Sequence, residues 1–263
     1  MQLKDQIGRT LIINTAPKRI VSLVPSQTEL LYDLGLEDSI IGITKFCVHP
    51  FHFKSTKDIV GGTKNIKIEK IKALNPDIIL CNKEENTKEI VAACQAICAT
   101  HVSDIVTIED CLELINQYGE IFNKRTNATK ISDKINFNFK DFKVFIEDKQ
   151  VLKTAYFIWR KPWMAAGNGT FINHLLELNK FENIYKNLKR YPEVELNKIR
   201  AQGDPELVLL SSEPYPFKDK HAFEIGRVSH HAKTIFVDGE YFSWYGSRLI
   251  KAFDYFKTLR NRL

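Results

Sequence analysis

Arg19-Ile-Val-Ser-Leu-Val-Pro-Ser-Gln-Thr-Glu29, followed by Leu30, Leu31, Leu34 and Gly35, is the stretch that decides the fold. Arg19 to Val24 is a short run rich in β-branched residues that ends at Pro25, the pattern of a buried strand. Ser26 stands where a helix cap is expected, and Glu29, three residues on, completes a capping box. Leu30, Leu31 and Leu34 give that helix an apolar face, and Gly35 stops it. A strand that passes at once into a helix is the first repeat of a parallel α/β layer.

The alternation continues outward from there. Ile40 to Ile43 predicts the next strand, Ile66 to Leu74 a short helix before Pro76, and Asp77 to Cys81 a third strand. Glu84 to Ala96 predicts a helix and Ala99 to Val102 a fourth strand. From Ile108 to Lys149 there is no Pro, and Gly119 is the sole Gly. Leu112, Ile115, Ile121, Phe122, Ile131 and Ile135 recur there at near-helical spacing, which predicts one long helix to about Phe137. Such a helix is a stiff spine, unlike a Gly/Ser linker. The α/β pattern then restarts. Leu152 to Trp159 reads as a strand, Thr170 caps a helix running to Leu178, Leu207 to Leu210 and Thr234 to Val237 read as strands, and Gly246 to Leu259 as a final helix. The expected architecture is two Rossmann-like α/β lobes with parallel sheets, residues 1–106 and 150–263, joined by a helical connector over 107–149. That organisation suggests a ligand cleft between the lobes.

Composition narrows the function classes. With 44% hydrophobic and 27% charged residues in 263, the chain can bury a real core. The net charge of +6 is scattered, with short clusters such as Lys186, Lys189 and Arg190 rather than a basic arm. This argues against nucleic acid and suits an anionic small ligand. No apolar run approaches the roughly 20 residues of a membrane span, so no membrane insertion is expected. The chain opens with Lys4 and Asp5 where a secretory signal would be apolar, and no lipid-attachment cysteine lies near the start. Taken as written it reads as cytoplasmic, and as periplasmic if a leader precedes it. The five cysteines, Cys47, Cys81, Cys94, Cys98 and Cys111, are odd in number and spread through apolar segments, which reads as buried thiols.

Enzyme motifs are absent: no phosphate-binding loop, no dinucleotide fingerprint, no Gly-x-Ser-x-Gly elbow and no His-Glu-x-x-His. No catalytic residue or covalent cofactor is therefore assigned. Cys94-x-x-x-Cys98 reads as core packing. His49, His52, Glu84 and Glu85 are the candidate metal ligands, but nothing in their spacing makes them converge, and no metal site is assigned. The informative segments are loops after strands, which face the ligand crevice in open α/β sheets. Three of them, Trp159 to Met164, Ser211 to Phe217 and Asp238 to Arg248, are rich in aromatics. Trp163, Tyr215, Trp244 and Tyr245 supply an apolar wall, Arg160 and Arg248 fixed cations, and Glu213 an acid. In the first half, Ser26 and Gln27, Lys45, and Glu84 follow successive strands. Helix N-termini at Ser26 and near Glu84 would offer free N–H groups to polar ligand atoms. The plainer readings are that the aromatics cap the lobe's own core and that Glu84 and Glu85 complement a helix dipole.

With these residues in place, the chain resembles the Fe/B12 periplasmic-binding family, the helical-backbone class III substrate-binding proteins. The resemblance runs in order through Asp5-Gln-Ile-Gly-Arg9, Pro17-Lys-Arg-Ile-Val-Ser-Leu23, Pro25-Ser-Gln-Thr-Glu29, Leu34-Gly35, Ile41-Gly-Ile43 and Gly61-Gly62. It continues through Ile68-Glu-Lys-Ile71, Leu74-Asn-Pro-Asp-Ile-Ile79, Asp204-Pro-Glu-Leu-Val-Leu-Leu210 and Asp238-Gly239. The runs Trp159 to Met164, Ser212 to Phe217 and Ser243 to Arg248 look like a leaderless cobalamin-binding-like branch. The resemblance implies two lobes joined by one helix, and a non-enzymatic substrate-binding protein of an ABC importer that takes a cobalamin-like corrinoid or ferric chelate. It also implies docking on a permease through an acid on each lobe. Glu69 matches the first; Asn197-Lys198 stands at the second, with Glu195 displaced. A different class stays open: a cytoplasmic enzyme or chaperone handling a corrinoid, tetrapyrrole or metal on the same scaffold.

Overall fold

Ile20, Val21 and Ser22 form the central strand of a five-stranded parallel sheet in the computed structural model, which describes residues 1–263. The chain divides into two units. Met1–Asn136 with Trp244–Ile250 form one, and Phe137–Ser243 with Lys251–Leu263 the other.

In the first unit, β1 (Gln2–Lys4) and β2 (Thr10–Ile12) make an antiparallel hairpin. There follow β3 (Ile20–Ser22), α1 (Pro25–Asp33), β4 (Ile40–Ile43), α2 (Phe53–Thr56), β5 (Asp58–Ile59) and α3 (Ile68–Ala73). Next come β6 (Ile78–Asn82), α4 (Lys88–Gln95), β7 (Ala99–Ser103) and α5 (Ile108–Ile121). The sheet order is β5-β4-β3-β6-β7, every pair parallel. Val21, Leu23, Ile79, Cys81 and Val102 pack with Ile71, Ile90 and Cys94 from the helices into a sealed core. The hairpin guards the β7 edge. Asp5 accepts the Val102 N–H (3.2 Å), while Arg9 donates to both Asp5 (2.8 Å) and the Thr100 carbonyl (2.8 Å). A free strand edge would otherwise offer unpaired backbone groups to other chains.

Helix α1 ends as its sequence suggests. Gly35, at φ +77°, donates to the Tyr32 carbonyl and Leu36 to the Leu31 carbonyl, the paired bonds of a left-handed helix stop. Its start differs from expectation. Val24 is the cap residue, Pro25 occupies the first turn, and no side chain caps the helix, so the Ser26–Glu29 capping box does not form. Proline's preset φ and missing N–H serve the first turn instead.

The expected single helix from Ile108 is two. Helix α5 stops at Phe122, and α6 (Arg125–Ile146) carries the chain across the boundary between the units, so one long helix still joins them. The break uses the same device as Gly35. Asn123 adopts φ +54°, and Lys124 donates to the Gly119 carbonyl (2.7 Å). Asparagine tolerates this conformation because its short polar side chain lowers the cost. Gly119 permits close packing of the two helices, since a Cβ there would lie 2.6 Å from that of Ala128.

The second unit contains β8 (Leu152–Trp159), β9 (Met164–Ala165), α7 (Phe171–Leu178) and β10 (Phe181–Asn183). It continues with β11 (Leu207–Ser211), α8 (Asp219–Val228), β12 (Lys233–Val237), α9 (Gly239–Ser243) and most of α10 (Leu249–Asn261). Four parallel strands run in the order β10-β8-β11-β12, and β9 adds to β8 antiparallel. Thr170 caps α7 as expected, accepting the Asn173 N–H. Ala155, Phe157, Val208 and Leu210 pack against Tyr185, Ile199, Phe217 and Ile225. An aromatic cluster also fills this unit. Phe142, Phe253 and Phe256 lie at 5.7–6.4 Å between ring centres, and Phe242 joins Tyr156 and Phe256. The final helix begins at Leu249 rather than Gly246, because Gly246 holds φ +91°.

Candidate functional site

In each unit the chain lays down one strand, builds to one side, then to the other. This places a topological switch point between β3 and β6 in the first unit and between β8 and β11 in the second. Loops at the carboxyl ends of the strands beside such a point form the usual ligand crevice.

At the first switch point the side chains bond to one another. Gln27 is fully buried, with its Nε2 within reach of Ser103 Oγ (2.6 Å), Tyr245 Oη (3.0 Å) and the Cys81 carbonyl (3.3 Å). Tyr118 Oη donates to Gln27 Oε1 at 2.7 Å, and Asn82 Nδ2 donates to Ser103 Oγ at 2.9 Å. Burial pushes the Tyr118 and Tyr245 phenols well above their ordinary range, so both stay protonated. Each group left without its partner in such a network would cost about 1–3 kcal/mol. Gln27 and Tyr245 are therefore held firmly in place by this network, and Ser26 is buried beside them. Asn82 also accepts the N–H groups of Glu84 (2.8 Å) and Glu85 (3.2 Å), folding them into a turn. Helix α4 consequently starts at Lys88, capped by Thr87, not at Glu84. Glu84 thus sits in a side-chain-capped turn, its carbonyl accepting Lys64 Nζ at 2.6 Å, and offers no helix N-terminus.

Trp244, Tyr245 and Arg248 belong with this first unit, although they follow β12 in sequence. Arg248 makes a two-pronged bond to Glu29, both contacts 2.8 Å, and its guanidinium lies 4.9 Å from the Trp244 ring centre. His49 meets the same indole edge-on at 5.4 Å. Burial raises the Glu29 pKa despite the opposing pull of Arg248. Gly246 anchors the segment by donating to Cys111 Sγ at 3.0 Å. Lys45 and Phe46, by contrast, are exposed, the ammonium 5.0 Å from the phenyl centre. His52 turns to Glu37 (2.6 Å) while His49 turns to Trp244, so the His49–His52 pair does not converge. No group of three or more His, Cys, Asp or Glu residues is arranged to hold a metal ion.

At the second switch point the surface is aromatic. Trp159, the last residue of β8, is 39% exposed and meets Tyr215 edge-on at 5.5 Å. Tyr215 packs on Phe217 (4.9 Å). Trp163 lies inside this group, stacked on Phe217 (5.5 Å) and edge-on to Phe157 (5.0 Å). Arg160 pairs with Glu224 at 2.6 and 2.9 Å, so its charge is already countered. Glu213 accepts the Ser243 hydroxyl at 2.6 Å. Gly239 brings α9 close to this loop, since a Cβ there would lie 2.2 Å from Ser211 Oγ.

The family described as periplasmic binding protein matches residues 20–227, most of the chain. The chain belongs to that family. Its alignment carries both β3-led and β8-led switch points, the two regions just described. The ABC transporter substrate-binding lipoprotein YvrC of Bacillus subtilis is 25% identical over 262 residues, 95% of this chain and 82% of the relative. A vitamin B12-binding protein of Vibrio campbellii is 24% identical over 200 residues, 75% and 72% of the two chains. Among solved structures, the periplasmic heme-binding protein RhuT of Roseiflexus sp. RS-1 superposes with a TM-score of 0.80 at 14% identity, covering 92% of this chain and 97% of that one. The last comparison shows the shared fold. Membership makes this chain a binding protein rather than an enzyme.

Of the side chains expected to line a site in this periplasmic binding protein, Trp163, Glu213, Tyr215 and Arg160 share the second unit. Ser26, Gln27, Lys45, Glu84, Trp244, Tyr245 and Arg248 share the first. Sequence reasoning did not single out Asn82 and Ser103, polar groups at the ends of strands, or Tyr118 within α5, nor Glu29 as the partner of Arg248. Glu69 lies in the first turn of α3, 79% exposed and 2.8 Å from Lys72. Glu195 is 62% exposed and 2.7 Å from Lys198.

Proposed function

We propose that this family member is the substrate-binding component of an ABC importer and takes a bulky, metal-centred ligand, a cobalamin-like corrinoid or a ferric chelate. The observation that carries the ligand class is Trp159 with Tyr215: a partly exposed indole and a phenol, edge to face, at the carboxyl ends of β8 and β11. Large aromatics offer contact area at low entropic cost, and an indole left in water at a switch point gains by being covered. The V. campbellii relative named for vitamin B12 supports the corrinoid arm. The B. subtilis relative, named as a lipoprotein of an ABC transporter, supports both a permease partner and action outside the cytoplasm. No helix here is long and apolar enough to cross a membrane. Glu69 is the acid proposed to meet the permease.

The test is tryptophan fluorescence during titration with cobalamin, beside cobinamide, haem and a ferric siderophore, with inner-filter controls. Saturable quenching by one of them at micromolar concentration or below is expected. Trp159→Ala should weaken it at least tenfold, or about 1.4 kcal/mol. Trp163 and Trp244 are packed within their units, so Ala there should lower stability as well. No saturable response to any of the four ligands would overturn the assignment.

A further inference from the structure

His221 is 2% exposed, on α8, beneath Tyr215. Its Nδ1 faces the backbone N–H of Lys218 at 2.8 Å, a group that can only donate. Nδ1 must therefore carry the lone pair, and in the neutral ring the proton sits on Nε2. Nε2 lies 3.2 Å from Tyr215 Oη, so the imidazole donates and the phenol oxygen accepts. With its oxygen engaged in that way, the Tyr215 O–H proton points to another acceptor, and the protein supplies none. The ring is also fixed by edge contacts to Tyr215 (5.3 Å) and Phe217 (5.4 Å).

We propose that His221 is a positioning residue that commits the Tyr215 hydroxyl to donate toward the ligand, which must present an acceptor oxygen there, from a carboxylate, phosphate or amide carbonyl. The inference rests on the proposed binding role and adds its polarity. Burial holds the His221 pKa below its ordinary value, with Lys220 and Arg160 acting in the same direction and Glu224 and the Lys218 backbone opposing. The neutral ring that the geometry requires is thus the form favoured near neutral pH. A protonated ring would aim an N–H at the Lys218 N–H and lose the helix cap.

Two substitutions separate the roles of the two nitrogens. His221→Asn places an amide oxygen near Nδ1 and keeps the Lys218 contact, but lacks a donor to Tyr215. His221→Gln places an amide N–H near Nε2 and restores it. Cobalamin titrations would compare these variants with wild type, Tyr215→Phe and the Tyr215→Phe/His221→Asn double variant. Tyr215→Phe and His221→Asn are each expected to weaken binding at least fivefold. His221→Gln should return to within twofold of wild type, and the double variant should be no weaker than Tyr215→Phe alone. Wild-type affinity in His221→Asn, or additive losses in the double variant, would overturn the proposal while leaving the binding role intact. Nitrogen-15 NMR of the imidazole gives a reading free of ligand: a proton on Nδ1 refutes the proposal whatever the titrations show. Failure of cobalamin, cobinamide, haem and siderophore to bind wild type would remove the functional reading itself, and this inference with it.

Discussion

Replacing Arg248 with Met tests how the Trp244–Arg248 segment is held. The guanidinium and the Glu29 carboxylate are 9% and 16% exposed, well below the level at which solvent screening would dominate, and they meet through two contacts of 2.8 Å. Removing one partner of a buried pair leaves the other charge without compensation and costs about 3–5 kcal/mol. The raised pKa of Glu29 shows that desolvation already outweighs the attraction of Arg248. The double variant Glu29→Leu/Arg248→Met should therefore regain most of the loss, since replacing such a pair by apolar groups is often neutral. The cost should also depend on pH. Below the unfolded carboxyl value of about 4.3 the acid is neutral in both states. As pH rises towards the elevated folded value the unfolded state ionises first, so stability falls, and further in Arg248→Met than in wild type. Urea denaturation followed by far-UV circular dichroism at pH 5 and pH 8 measures each term. A loss under about 1 kcal/mol, within the range of exposed pairs, would refute the reasoning. So would a cost independent of pH, or a double variant as unstable as the summed singles, since either would mean packing rather than charge is at stake.

Two further predictions concern other parts of the chain. His101 is fully buried, with Nε2 bonded to Gln117 Oε1 at 2.8 Å, Nδ1 without a hydrogen-bond partner, and Asp5 and Arg9 nearby; burial lowers its pKa. The unfolded state then binds the extra proton below about pH 6.5, so stability is retained above that value and lost as pH falls, by up to about 1.4 kcal/mol per unit; an unchanged acid slope in His101→Phe would rule this group out. Glu69→Ala, alone and with Glu195→Ala, should reduce uptake into cells carrying the cognate permease while ligand affinity in solution stays within twofold, and equal uptake by the double variant would remove both acids from docking.

Local signals made much of the fold legible. Ile40 to Ile43 and Leu152 to Trp159 appear as strands with the expected bounds, because β-branched and aromatic runs buried on both faces have few other uses. Thr170 and Gly35 act where they were expected, because capping depends on neighbours two to five residues away. The misreadings are of the same local kind. Asn123 supplied the left-handed stop that a glycine would have advertised, and Asn82 drew Glu84 and Glu85 into a turn ahead of the helix.

What the amino-acid order determined on its own was the alternation of strand and helix, and with it two parallel sheets whose post-strand loops carry the aromatic and charged residues. Which partners those residues find was decided only in three dimensions. Arg160 and Arg248 look alike as loop cations, yet each is countered by an acid distant in sequence, Glu224 and Glu29. Gln27 and Tyr245, both expected as ligand contacts, also bond to each other across 218 residues. Buried polar groups must find partners, and the cheapest partner is whichever the tertiary fold brings within 3 Å, something sequence spacing does not encode. Trp159 and Tyr215 meet for the same reason: the strands that end beside them are neighbours in the sheet, though separated in the chain by two strands and a helix.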